Sequence, residues 1–581
     1  MRFGIFYEHQ IPRPWTLDGE HRLLKDALDQ VEIADRVGFH SVWEVEHHFL
    51  EEYSHSSAPE VFLAAASQRT KRIRLGHGIV QIPPGVNHPA RVAERLATLD
   101  LVSDGRVEFG TGESSSAAEL GGFLVDRETK RAQWEDALDA ITRMFVETPF
   151  AGWESEFFRM PPRNVVPKPL QRPHPPLWVA CSRRETIHLA ARRGIGALSF
   201  SFVEPEDAGQ WVREYYDLIR SPECVPAGFA VNPNVAVVLP MMCHADEETA
   251  IERGIDGAHF FGYSLAHYYG MSSHEPGRTN VWDEFERRRE STGFARGLIT
   301  ADKAPLGVKI LQEGVGSLRG AIGTPAQITE LLRRYEAVGV DQVIFLLQAG
   351  RNAHAHICES LELFGREVLP AFAGEADARE HAKAERLLPA IEAALLRRKP
   401  ARSAPPYAID EQAEVLRAHR ARRAPSADGT WTASATARAR ARLRRGAASI
   451  VGGLVHGKSD LVLEQRFGRP LVQRAIFAAM ARAFDPAMAR GFRGAIVYEL
   501  TRAGAPEPQR WTLRVDGARA TASHGDHQKP DVRYRMGVAD FARILAGENP
   551  LRAIMAGRVA IDGDVQLAMR VAEMFGGAAP Y

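Results

Sequence analysis

Strand and helix alternate between residues 20 and 112 of this chain with very short connections, and successive strands joined in that way can only run parallel. Leu24, Ala27, Leu28, Val31 and Ala34 recur at helical spacing, Gly38 supplies a stop, and Ser41-Val42-Trp43-Glu44-Val45 alternates as a strand. A helix is expected over Pro59 to Gln68 and a strand over Ile73 to Val80. A third helix should start at His88-Pro89 with Leu96 and Leu99 inward. After a turn at Asp104-Gly105 comes a strand through Arg106-Val107-Glu108-Phe109-Gly110-Thr111-Gly112. Glu46-His47-His48-Phe49 follow the second strand directly, so two imidazoles and a carboxylate lie at its C-terminal end, where parallel sheets hold their chemistry. Taken alone, the histidine pair is equally well read as a strand cap.

The 581 residues exceed what one hydrophobic core organises, and 45% apolar content is enough for more than one. The 73 basic and 73 acidic residues cancel, which removes a global field for nucleic acid or an anionic membrane and leaves a small-molecule or protein partner. Cys181, Cys224, Cys243 and Cys358 are too scattered for a disulfide framework or a zinc site. Met1 to Tyr7 opens straight into a strand with no signal segment, and no stretch is long enough to span a bilayer, so a reducing cytoplasm is the expected compartment.

With Glu46-His47-His48-Phe49, the Gly-rich third strand ending in Pro83, His88-Pro89, Asp104-Gly105-Arg106 and Phe109-Gly110-Thr111-Gly112 in view, the chain resembles the bacterial luciferase-like monooxygenases. Pro167-Lys168-Pro169-Leu170-Gln171, Pro175 to Ala180 and Gly323-Thr324-Pro325 continue the likeness to about Phe372. The resemblance implies a (β/α)8 TIM barrel over residues 1–372, reduced FMN as cofactor, and His47 as the catalytic histidine with Glu46 beside it. It places Gly78, Ile79, Val80 and Thr111 in the cofactor site, with a non-proline cis peptide at Gly78-Ile79. Ser182 and Thr186 open a helix whose free amides suit a phosphate, against the plainer reading of Ser182 as a cap. Glu113 stands where many members carry an arginine, so that phosphate contact does not transfer, and Arg183 or Arg184 is the candidate substitute. A related branch uses a deazaflavin and transfers hydride, which keeps that cofactor open. No Gly-x-Gly-x-x-Gly follows a strand, so reduced flavin is expected from a separate reductase. The aromatic stretch His259-Phe260-Phe261-Gly262-Tyr263 to Tyr269, in an insertion between the seventh and eighth strands, is a candidate substrate contact or a packed loop. His354 and His356 alone make no metal site, and none is assigned.

From Ala373 to about Arg445 the chain turns rich in Ala, Arg and Glu with Pro400, Pro405 and Pro406 as breaks, as in a helical linker. Residues 446–581 then read as an α+β domain with strands at Ala495 to Leu500, Trp511 to Val515 and Asp531 to Met536, and helices at Val538 to Leu545 and Val565 to Phe575. This stretch resembles the sterol carrier protein type two domain, through those strands, Pro550 to Gly557 and Ile561-Asp562-Gly563-Asp564, which implies an apolar tunnel for lipid-like molecules. Ile554, Met555, Leu567, Met569 and Phe575 serve equally as packed core. Gly452 to Ser459 fits a phosphate-loop spelling, but no parallel sheet with a magnesium carboxylate follows it. The expectation is a flavin-dependent monooxygenase acting on an apolar substrate and carrying a lipid-binding domain, with homo-oligomerisation open. The alternatives are a deazaflavin-dependent oxidoreductase and a non-catalytic lipid carrier whose barrel is a scaffold.

Overall fold

A computed structural model describes residues 1–409 other than 115, 182–183, 200–203, 272–273 and 290–318. It also describes residues 457–563 other than 485–488, 490–491, 518, 547 and 549, together with Val455, Leu567, Ala568, Val571, Met574 and Phe575. Two units divide the chain, and Met1–Tyr268 with His274–Ala408 form the first. Its eight principal strands are β1 (Arg2–Tyr7), β2 (Ser41–Glu44), β3 (Arg74–His77), β4 (Val107–Gly112), β5 (Leu177–Cys181), β6 (Gly196–Ser199), β7 (Val235–Cys243) and β8 (Gln342–Gln348). Each pairs in parallel with the next, and β8 returns to β1 with Arg2 opposite Gln342, so the sheet closes into a (β/α)8 barrel.

Helix α1 (Gly19–Val37) ends where the sequence spacing ends, with Gly38 at φ 108° donating its amide to the Ala34 carbonyl. Helices α2 (Pro59–Arg69) and α3 (Pro89–Val102) both start on proline, and the His88 ring accepts from the Ala90 amide at the start of α3. At the barrel's centre the indoles of Trp43 and Trp178 meet edge to face at 5.3 Å. Glycine permits this: a Cβ on Gly76 would lie 2.4 Å from the Trp43 ring, and one on Gly196 would lie 2.4 Å from the Trp178 ring. The expected strand over Ile73 to Val80 is two pieces, β3 and a short segment Val80–Gln81, broken at Gly78-Ile79. The cis peptide expected there is absent. The cis bonds among the described residues all precede proline, and the Gly78 amide instead donates to the Glu44 carbonyl at 2.6 Å.

The second unit, which holds Ile409–Tyr581, contains one mixed sheet. Its strands are β9 (Arg493–Thr501), β10 (Gln509–Asp516), β11 (Ala520–His524), β12 (Val532–Gly537) and β13 (Val559–Gly563), in the order β11-β10-β9-β12-β13. Strands β9 and β12 pair in parallel and the other pairs are antiparallel. One face is apolar, and Phe477 from the helix Pro470–Arg482 stacks on both Trp511 (4.9 Å) and Phe541 (5.3 Å). Leu567 and Phe575 belong to that packed core and Ile554 flanks it. The arginine-rich end of the linker, Arg438 to Arg445, and half of the phosphate-loop spelling (Gly452, Gly453, Leu454 and His456) lie outside the described residues. No helix among the described residues is long and apolar enough to cross a membrane.

The linker begins inside the barrel unit. Helix Pro370–Arg397 buries Phe372, Lys383, Leu387 and Ala394, and the segment after it is bolted to the barrel by arginines. Arg402 reaches the fully buried Glu147 carboxylate through both its backbone amide (2.9 Å) and its guanidinium (3.1 Å), Arg143 supplies a further donor to Glu147, and Arg398 lies 4.3 Å over Phe229. A buried carboxylate stripped of a partner keeps its desolvation penalty. Replacing Arg402 with alanine should therefore cost about 2 kcal/mol in urea unfolding. The exposed Arg366→Ala should change stability by less than about 0.5 kcal/mol.

Candidate active site

The C-terminal ends of β1 to β4 assemble a cluster of ionisable side chains around His47. Glu8 follows β1 directly, His47 and His48 follow β2, Gln81 ends the short segment after β3, and Glu119 sits on α4 (Ala117–Gly122) just after β4. Helix α4 is capped by Ser116, whose hydroxyl accepts from the Glu119 amide (3.1 Å) and donates to the Glu119 carboxylate (2.8 Å), so the cap fixes the acid. His9, Phe49, Glu51, Ser114 and Leu124 around this rim all hold positive φ, a conformation that surrounding contacts must enforce.

Glu119 collects donors on both oxygens. Oε1 accepts from His47 Nδ1 (3.0 Å), the His48 amide (3.0 Å) and Gln81 Nε2 (2.5 Å), and Oε2 from the hydroxyls of Ser114 and Ser116, each at 2.8 Å. Burial alone would raise the carboxyl's pKa, but the His47 charge and these donors bring it down to about 2. For His47 burial works against the proton, and Glu119, then Glu8, outweigh it, raising the ring to about 9. The ring is therefore an imidazolium at neutral pH. With Nδ1–H given to Glu119, its second proton is on Nε2, which lies 3.7 Å from Glu8 Oε2. Glu8 is 2% exposed. Burial pushes its carboxyl up to about 7 against the pull of His47 and of Tyr53, whose hydroxyl donates to Oε1 at 2.9 Å.

The other residues named from sequence take different stations. Glu46 accepts from the Gln81 amide (2.7 Å) and Asn87 (2.8 Å) and faces His48 Nε2 at 3.2 Å, so it joins the loop after β2 to the segment after β3. The His48 ring packs edge-on to Phe123 at 4.8 Å. Gly78 is backed by Phe6 and Trp43, Ile79 lies over Gly110 and Gly112, and Val80 pairs with Thr111. The Thr111 hydroxyl faces the helix layer, donating to the Trp178 carbonyl (2.9 Å) and accepting from Trp134 (3.0 Å). Thr186 is half-buried in helix Arg184–Arg192, and Ser182 and Arg183 lie outside the described residues. Arg184 is engaged by Glu214, and Glu113 is paired with Arg131 at 2.7 Å. The aromatic stretch is helical, within Glu247–Ala266 and the π-turn after it. Phe260 packs on Trp282, and Phe261 reaches the cluster through Tyr53 at 5.6 Å. Glu8, Gln81 and Glu119 were not among the sequence candidates, although Ser116-Ala117-Ala118-Glu119 spells a capping box.

The buried polar atoms without a hydrogen-bond partner among the described residues include Glu8 Oε2, Gln81 Oε1 and Ser199 Oγ at the C-terminal ends of strands. A guest carrying both donors and acceptors, as the pyrimidine edge of a flavin does, would satisfy atoms of this kind.

Residues 1–342 match the family model for luciferase-like monooxygenase, and residues 478–576 match that of the SCP-2 sterol transfer family. The chain belongs to the luciferase-like monooxygenases. It is an oxidoreductase with a C-terminal SCP-2 domain. The oxygenase component of the flavin-dependent trigonelline monooxygenase of Acinetobacter baylyi is 25% identical, over 66% of this chain and 98% of that protein. Limonene 1,2-monooxygenase of Rhodococcus erythropolis is 39% identical over 24% of this chain and 35% of that enzyme. Among solved structures, the monooxygenase RslO1 of Streptomyces bottropensis superposes with a TM-score of 0.50 at 25% identity, over 64% of this chain and 100% of that one.

The opposed pKa shifts set a pH window. The His47 contribution is complete below its ordinary value of 6.5 and is lost as pH rises through about 9. That of Glu119 is complete above 4.5 and is lost as pH falls through about 2. Urea unfolding should show the wild-type chain losing on the order of 3 kcal/mol more than Glu119→Gln between pH 6.5 and pH 9. Parallel losses would show that the pair is not coupled in this way.

Proposed function

We propose that this luciferase-like monooxygenase takes reduced FMN from a separate reductase and uses dioxygen to oxidise an apolar organic molecule. The observation that carries this reading is an imidazole set at the barrel mouth between two buried carboxylates and beside unpartnered polar atoms. Overall, reduced flavin, dioxygen and substrate become oxidised flavin, substrate bearing one oxygen atom, and water. The bound flavin supplies the two electrons and the contact with oxygen. The protein holds and delivers a proton while keeping water out.

His47 delivers it from Nε2. Glu119 fixes the ring's tautomer and orientation through Nδ1, and Gln81 and the His48 amide hold Glu119 in place. Glu46 orients the same loop through His48 and the Gln81 amide, and Gly78, Ile79 and Val80 would back the ring of a bound flavin. Ser182, just before helix Arg184–Arg192 in the sequence, and Thr186 within it would hold its phosphate. A deazaflavin enzyme that abstracts hydride from an alcohol needs a base, and a ring protonated up to about pH 9 is an acid, which favours the oxygen-activating reading. The names of the trigonelline and limonene enzymes support a small organic substrate, and the first supports a two-component system.

Replacing His47 with alanine should cut turnover by two or more orders of magnitude with flavin affinity nearly unchanged, and unchanged turnover would remove it from the chemistry. Alanine at both Ser182 and Thr186 should weaken FMN more than riboflavin, as followed by flavin fluorescence titration. Equal losses would make the pair a helix cap, and retention of a deazaflavin in place of FMN would overturn the cofactor assignment.

A further inference from the structure

The oxygen of Glu8 that faces His47 Nε2 at 3.7 Å is buried and has no hydrogen-bond partner, so its charge is costly there and the neutral, protonated carboxyl is less so. Its other oxygen is clamped by the Tyr53 hydroxyl. The next residue, His9, is held at φ 55° with its ring on Glu44 at 2.9 Å, so the backbone cannot easily carry Glu8 away. On the opposite edge of the imidazole, Glu119 is saturated with donors and has no capacity left to store a proton.

From this asymmetry we infer that Glu8 is a positioning residue that reloads His47, storing a second proton on Oε2 and passing it to Nε2 after His47 has given up its own. The transfer moves one proton: the Glu8 O–H bond breaks, the Nε2–H bond forms, and the carboxylate left behind is protonated again from solvent before the next turnover. The two carboxylates thereby divide the work, one fixing the ring and one feeding it. The ionisable groups that face this pair are Glu119, Tyr53 and Glu46, with His48 and the His9–Glu44 pair in the surrounding shell.

The inference rests on the reading of His47 as a proton donor, and it is tested on the full chain without flavin, so its failure is separable from failure of the cofactor assignment. Histidines labelled at the ring carbon are titrated by NMR, with His47→Gln identifying the His47 signal. Wild type should show a main step near the raised His47 value and a smaller deflection near neutral pH as Glu8 ionises beside the ring. Glu8→Gln should abolish the smaller deflection and lower the main step by about one pH unit or more. Tyr53→Phe, which removes only the hydroxyl donated to Glu8, should move the small deflection to higher pH while keeping it, and this holds the test open should Glu8→Gln fold poorly. A His47 titration unchanged in both variants overturns the inference.

Discussion

A carboxylate shut away from water must either gather hydrogen bonds or surrender its charge, and Glu119 gathers them from an imidazole, a backbone amide, a carboxamide and two hydroxyls. The loop after β2, the segment after β3 and the short helix after β4 are arranged around that anion. Because it stays charged, His47 stays protonated. Because it draws donors from the loop after β2 and the segment after β3, those two pieces are set against each other. Because Ser116 caps the short helix that presents it, its position is tied to the end of β4.

The barrel makes this economical. Parallel strands bring their C-terminal ends to one rim, so residues 39, 34 and 72 positions from His47 in the chain become its neighbours without any long loop. Below the rim, Trp43 and Trp178 fill the centre over Gly76 and Gly196, and that packed plug leaves the polar chemistry confined to the mouth. The positive-φ residues gathered at the same rim are consistent with a site whose backbone is held in place by its own hydrogen bonds.

The barrel's first half was legible because period and punctuation agree: the spacing from Leu24 to Ala34 with Gly38 behind it, and proline starts at Pro59 and Pro89. The site was legible only in part. His47 announces itself by following a strand, whereas Glu119 depends on a partner 72 residues away that no local pattern indicates. Thr111 could have been placed by parity, since it shares the outward face of β4 with Phe109, which packs on Phe145. The aromatic stretch was open between a contact and a loop. It is the C-terminal part of a helix that begins at an Asp246 cap on the Thr249 amide. In the C-terminal unit, β11 was missed because Ala520 to His524 offers the core no large apolar side chain.

The central question is whether Glu119 keeps His47 protonated in the reaction proposed for reduced FMN and dioxygen. The most direct measurement is the rate at which protein-bound reduced FMN is reoxidised on rapid mixing with dioxygen, followed by absorbance from pH 6 to 10 in wild type and Glu119→Gln. A proton held on His47 by Glu119 gives a wild-type profile that stays level until about pH 9 and a variant profile that falls at distinctly lower pH. Superimposable profiles in the two proteins would contradict it.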